Sequence, residues 1–287
     1  MRGCTLPVDL GIRAYAIAGS GSDRAPAPRC EPMPPPGTRR SGSRLGGLAT
    51  ALARRCVAAG ELGPETGVLV GTGLGCLTET QAFVEHMVRA AEATPKPRAF
   101  AASVHNAIAS EVARELGCRG ECQTAVQGEV SFAHALLAAH WIGGGARLLV
   151  GALDEASPYV AHALRSCGSH EEPGEGGALL LLGDPAPVRV TEIALGRAAA
   201  ATVPNGFEIA VPDLAGGLAA PAGAIPFAGL PPHMSLFATA SALATGVLAG
   251  EIPASALGLD ATPSALWVSC RGRLGDRARI RLEVSGG

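Results

Sequence analysis

Short apolar runs that break at glycine, alternating with alanine-rich segments of helical periodicity, restrict this chain to a layered α/β architecture. A strand covered on both faces reads as a continuous apolar run rather than an alternating one. Gly67-Val68-Leu69-Val70-Gly71-Thr72-Gly73-Leu74-Gly75 reads this way, as a buried strand breaking into a glycine turn. Further strands are expected at residues 9–18, 122–126, 147–152, 176–182 and 188–195. Helices are expected at 44–59, 77–93, 106–116 (stopped by Gly117), 129–141 and 234–249. Helices this rich in alanine fit deep burial, so the pattern implies helices packed between sheets. Gly183-Asp184-Pro185 divides two apolar runs, which makes 176–182 and 188–195 expected neighbours. Residues 265–270 and 278–284 read as a hairpin around 271–276. Residues 19–42, rich in Pro, Ser, Gly and Arg, read as a surface loop, and 196–232 carry few element signals.

Composition removes several function classes. With 287 residues, 47% hydrophobic and 17% charged, the chain can bury a large core and is not of a disordered type. A formal net charge of -2 and 3% aromatic residues give no basic face and no series of stacking rings, so nucleic acid is not an expected partner. No apolar run approaches the ~20 residues that span a bilayer. Residues 1–19 carry Asp9 and Arg13, unlike a signal peptide, and a cytoplasmic location is expected. Eight cysteines are scattered, mostly as free packed thiols. Cys118-Arg119-Gly120-Glu121-Cys122 lacks the C-x-x-C spacing of zinc and redox sites, so neither metal nor cofactor is expected.

The most informative segment is Thr124-Ala125-Val126-Gln127-Gly128-Glu129-Val130-Ser131-Phe132, where an apolar strand ends and an Ala/Leu-rich helix begins. The free amides and positive dipole end of a helix start stabilise an anion, and a cysteine placed there becomes a thiolate. A carboxamide at Gln127 cannot act as that nucleophile. Cys122, five residues earlier on the entering strand, cannot replace it. The other polar residues have ordinary readings beside any functional one. Glu129 suits the helix dipole. Asp154 and Glu155, adjacent in sequence, point apart and fit a turn or an ion pair. Glu171 and Glu172 read as loop charge, and His105, His134 and His140 as packed or interface histidines.

The glycine turn at 71–75, Ser103-Val104-His105-Asn106, the Gln127 segment, Val150-Gly151-Ala152-Leu153-Asp154-Glu155 and Gly174-Glu175-Gly176-Gly177-Ala178 occur in an order that resembles the β-ketoacyl synthases of the thiolase superfamily, from about residue 67 to 183. Counted back from Asp154-Glu155, Gln127 falls at or next to the position of that family's acyl-accepting cysteine, with Val126 the other candidate. Glutamine there resembles the chain-length factors of type II polyketide and aryl-polyene systems, and Gln127-Gly128-Glu129-Val130-Ser131-Phe132 is similar to short subunits of that kind. His233-Met234-Ser235-Leu236-Phe237-Ala238-Thr239-Ala240 resembles the site of the family's second histidine, and Ser269-Cys270-Arg271-Gly272-Arg273-Leu274-Gly275-Asp276 its final hairpin. The first histidine string, His-Gly-Thr-Gly-Thr in the family, has no match.

The resemblance implies a thiolase-like αβαβα sandwich: a ketosynthase-like half at 1–185 and an abridged second half at 186–287. It implies a non-catalytic subunit whose partner is a catalytic β-ketoacyl synthase, with acyl carrier protein reached through the complex, in fatty acid, polyketide or aryl-polyene synthesis. The two subunits would pair through residues 122–126, and His105, Ile108 and Val112 would shape the acyl tunnel. Two alternatives stand beside this reading: a malonyl-carrier-protein decarboxylase or condensing-enzyme relative using Gln127 and His233, and a degenerate scaffold.

Overall fold

A computed structural model describes residues 4–19, 30–31, 42–57, 62–91, 94, 96–143, 145–166, 173–196, 207–211, 224–226, 235–272 and 275–286. Its strands are β1 (Cys4–Gly19), β2 (Cys30–Glu31), β3 (Gly67–Thr72), β4 (Cys122–Val126), β5 (Leu148–Asp154), β6 (Gly176–Leu182), β7 (Val188–Leu195), β8 (Phe207–Val211), β9 (Ile225–Pro226), β10 (Ala265–Arg271) and β11 (Arg277–Val284). Its α-helices are α1 (Arg44–Cys56), α2 (Leu77–Arg89), α3 (Pro97–Ser103), α4 (Ala107–Leu116), α5 (Ser131–Ile142), α6 (Pro158–Ser166) and α7 (Leu236–Leu248).

The strands form one hydrogen-bonded network in the order β4-β3-β5-β6-β1-β7-β11-β10-β8-β9, with β2 beside β1. The 16-residue β1 is its pivot. Residues from Ile12 to Gly19 pair antiparallel with β6, those from Cys4 to Ile12 pair antiparallel with β7, and the register shifts on both sides of the change. Such irregularities bend and twist a strand, which lets β1 serve two arms of the sheet. The expected adjacency of 176–182 and 188–195 is therefore corrected: β1 lies between them. Pairing is set by the tertiary fold, and a short connection is no guarantee of it.

Between the two arms lie α5 and α7. Leu69, Val150 and Leu180 of the first arm and Val190, Ile280 and Leu266 of the second share one core with Phe132, Leu136, Phe237 and Val247 of these helices. Phe132 and Phe237 meet edge to face at 5.6 Å. Every residue of α7 is buried, as its Ala/Ser/Thr/Gly-rich sequence allows. On the other face of the first arm, Leu45, Leu48 and Leu52 of α1 and Ile108 and Val112 of α4 cover Val68, Val70, Leu149 and Leu181. Fully burying each such leucine or isoleucine stabilises the fold by about 1.5–3 kcal/mol. Two local devices fix this layer. Ser43 Oγ accepts the Gly46 N–H at 2.8 Å to start α1, and Gly117, in the left-handed region at φ +72°, ends α4.

This is the expected layered α/β sandwich, and the predicted hairpin at 265–284 is present as β10–β11. β8, α3 and α6 are additional to the expected elements. The 147–152 strand runs on to Asp154, and the helix expected from 129 begins at Ser131, after a 3-10 turn at Gly128–Val130. No described helix is long and apolar enough to cross a membrane.

Candidate functional site at the strand ends

The parallel strands β4, β3 and β5 end side by side, with Val126 opposite Thr72 and Ala152 opposite Gly71. Crevices at such carboxyl ends are the usual sites of α/β sheets. Here α2, the 3-10 turn and α5 all begin. Gly71 permits the close approach of α5: a Cβ there would lie 2.8 Å from the Ser131 backbone carbon.

Gln127 leaves β4 at φ -142°, ψ 38°, and its side chain is exposed. Gly128 follows at φ +57°, which tightens the turn into the helix. The Gln127 N–H is not directed at an open site. It donates to Ser131 Oγ at 2.8 Å, and the buried Ser131 hydroxyl lies in turn 2.8 Å from the Thr72 carbonyl and 2.7 Å from that of Gly128. The Gln127 carboxamide makes no hydrogen bond to a described residue.

Asp154 lies behind this junction, buried at the end of β5. It accepts from Thr72 Oγ1 at 2.9 Å, from the Gly73 N–H at 2.7 Å and from Ser235 Oγ at the start of α7. Burial pushes its carboxyl up to about 6, and the three hydrogen bonds oppose that rise. Glu155 points the other way and accepts the Thr78 N–H at 3.1 Å, its carboxyl also raised by burial. The two adjacent acids therefore hold opposite ends of one turn, residues 72–78, which fulfils the turn role expected of them. Near Glu155, Arg44 is paired through both guanidinium nitrogens with Glu175, and its N–H donates to Glu79 at 2.7 Å.

His105 packs on the outside of the same turn. A Cβ on Gly75, whose φ is +72°, would lie 2.0 Å from His105 Nδ1, so only glycine admits the imidazole. Next to it, Thr124 Oγ1 contacts Asn106 Oδ1 at 3.4 Å, and Cys122 Sγ contacts Ser110 Oγ at 3.8 Å. Asn106, just before α4, and Ser110 on it thus lie against β4. Ile108 and Val112 face α1 and β3 with 0% exposure.

His233, Glu171 and Glu172 lie outside the described residues. Glu129 is buried in the 3-10 turn, and its carbonyl accepts from Cys270 Sγ at 3.3 Å, which ties hairpin and helix start together. His134, half-buried on α5, is held below its ordinary value by burial, partly offset by Asp276. His140, on the same helix, is half-buried. Among the described residues, no group of three or more His, Cys, Asp or Glu is arranged for a metal ion. Cys76, at the start of α2, is fully buried, and burial with neighbouring Glu79 pushes its thiol up to about 12. Burial also raises Cys118 and Cys122. Ser235 and the buried Asp154 network were not anticipated from sequence. A serine just before an alanine-rich helix was the available sign.

No family model matches the chain, and no curated protein does. Solved structures do. "The ishigamide ketosynthase/chain length factor" is similar with a TM-score of 0.71 at 19% identity, covering 97% of this chain and 100% of that one. The complex "AntDE:AntF (apo): type II PKS acyl-carrier protein in complex with its ketosynthase bound to the hexaketide" gives 0.72 at 15%, over 96% of this chain and 99% of that one. A ketosynthase (ApeO) in complex with its chain length factor (ApeC) from Xenorhabdus doucetiae gives 0.65 at 14%, over 97% and 98%. The chain therefore has the thiolase-like fold of ketosynthases and chain length factors.

Proposed function

We propose that this chain is a non-catalytic, chain-length-factor-like subunit that pairs with a catalytic ketosynthase along β4. The observation that carries the proposal is the junction at Gln127. It has the strand-to-helix architecture of a nucleophile site, but its side chain is a carboxamide. The backbone N–H of Gln127 itself is bonded to Ser131 Oγ, so it is not open to a developing oxyanion. A helix start closed in this way supports the shape of a condensing enzyme without the donor its chemistry needs.

Two further features support a partner at this edge. Among the described residues β4 ends the sheet and pairs on one side only, with β3, which leaves its outer backbone groups available to another strand. Trp141 on α5 and Val104 before α4 are large apolar side chains left exposed, and aromatic anchors of this kind carry much of the energy of protein interfaces. The ishigamide and Xenorhabdus doucetiae structures are themselves ketosynthases with chain length factors. By extension, the partner would supply the cysteine and both histidines, and acyl carrier protein would be met through the complex. In this reading His105 faces the acyl chain directly. Ile108 and Val112 set the wall from behind by fixing how far α4 stands from β4.

Co-expression with candidate ketosynthases tests the proposal. A stable 1:1 complex is expected, together with no carbon dioxide release from malonyl-carrier protein by the purified chain alone. Ile108→Phe in that complex should shorten or redistribute the products, since close-packed walls tolerate little added volume. Carbon dioxide release that disappears in His233→Ala would replace this reading with the decarboxylase one.

A further inference from the structure

The β10–β11 hairpin carries four arginines and one glutamate on its strands, and its charge is concentrated at one end. Leu266, Val268, Cys270, Ala278, Ile280 and Leu282 face the core between the arms. Alternation therefore sends Arg271, Arg277, Arg279 and Arg281 to the outer face. Arg279 and Arg281 have company there: their guanidinium carbons lie 4.5 and 5.8 Å from the Trp267 ring, and Arg281 pairs with Glu283.

Arg271 and Arg277 differ. They are direct partners in the antiparallel register, which brings like charges face to face. Such pairs destabilise a sheet unless something compensates them. Neither guanidinium forms an ion pair with a described residue, and the Nε of each is buried without a hydrogen-bond partner. Both side chains are nevertheless partly exposed, so their outer nitrogens can be reached. The backbone holds them in this opposition: the Gly272 N–H donates to the Asp276 carbonyl at 2.7 Å and the Gly275 N–H to the Gly272 carbonyl at 2.9 Å, closing the turn between them.

We propose that Arg271 and Arg277 form an oxyanion site that takes phosphate, either as the free ion or as the phosphate of an ester. Two guanidinium groups on register partners can share the oxygens of one tetrahedral anion through their outer nitrogens. The anion also cancels the repulsion between the two strands. This inference does not depend on the ketosynthase pairing proposed above and stands whether or not that complex forms.

The test uses the full chain in a low-salt buffer without phosphate, with thermal melting and calorimetric titration. Inorganic phosphate is expected to bind saturably and to raise the melting temperature. Arg271→Gln and Arg277→Gln should each weaken phosphate binding at least about tenfold. Without phosphate, each should melt about 1–2 °C higher, because a like-charge contact is gone. Arg277→Lys, which keeps the charge but not the fork, should melt as the parent does and bind phosphate more weakly. Arg54→Gln, at an exposed position on α1, should change neither reading. Tighter binding of coenzyme A than of inorganic phosphate would identify a phosphate ester as the ligand, and equal binding the free ion; both support the site. No saturable phosphate binding into the tens of millimolar would overturn the proposal. So would phosphate binding that survives in both glutamine variants, or glutamine variants that melt below the parent without ligand.

Discussion

Two strand-to-helix junctions lie side by side in this molecule, and between them they divide what a nucleophile site requires. The β3–α2 junction has the thiol, Cys76, at the start of a helix. The β4–α5 junction has the access, because Gln127 is exposed. At the first, a helix start should favour a thiolate, yet burial and the carboxylate of Glu79 push Cys76 up to about 12. A helix dipole contributes far less than the desolvation of a fully buried charge costs. Residue type at a helix start is therefore not enough; the site must also be open and free of neighbouring acids. The junctions also differ in how they are held. Two acids, Asp154 and Glu155, clamp the first from opposite ends, whereas a single hydroxyl, Ser131, closes the second.

The largest expected effect comes from releasing the stronger clamp. Asp154→Ala would leave the Thr72 hydroxyl, the Gly73 N–H and the Ser235 hydroxyl without their acceptor, at a cost of about 2–4 kcal/mol in chemical denaturation. The pH dependence has a definite sign. The carboxyl is raised from 3.8 to about 6 in the folded state. Its contribution to stability is therefore greatest below pH 3.8 and is lost as pH rises through 6. The loss amounts to about 3 kcal/mol in total. Asp154→Asn should remove that slope between pH 4 and 6. A slope unchanged in the asparagine variant would mean that another group carries it, and that the two junctions are not held as differently as described.

A smaller effect tests the division of thiol and access directly. Gln127→Cys places a thiol where the chain is open, whereas Cys76 is fully buried. Alkylation followed by peptide mass mapping should label the introduced thiol at least about tenfold faster than Cys76. Equal labelling would show that access does not distinguish the junctions. Condensing activity should still not appear in this variant, since the backbone N–H at position 127 remains bonded to Ser131.

Much of this arrangement was legible in the sequence because it is local. The strand at 122–126 was marked by its apolar run, the end of α4 by Gly117, and the final hairpin by its two alternating segments. The position of Gln127 at a junction followed from the same kind of signal. What escaped was non-local. The place of β1 between β6 and β7 depends on pairing across most of the chain, and β8, at 207–211, becomes a strand by lying beside β10. The bond from Ser235 to Asp154 joins residues 81 positions apart, and no periodicity marks it. The sequence also offered no means of seeing that Ile108 and Val112 face α1, while Asn106 and Ser110 face β4. Helical spacing assigns residues to faces but does not say which neighbour each face meets.

The smallest expected effect separates the two things that Ser131 does. Its hydroxyl accepts the Gln127 N–H and lies against the carbonyls of Thr72 and Gly128, so Ser131→Ala removes a buried hydrogen-bonding centre at a cost of about 1–2 kcal/mol. The same change frees the Gln127 N–H to face the crevice. If that donor is what the closed junction withholds, then the thiol of the Gln127→Cys, Ser131→Ala double variant should be alkylated about two- to threefold faster than that of Gln127→Cys alone, through a more stabilised thiolate. The ratio is to be read at a temperature where both variants remain folded by circular dichroism. No change in rate would mean that the serine only supports the turn, and that the carboxamide side chain alone separates this junction from a reactive one.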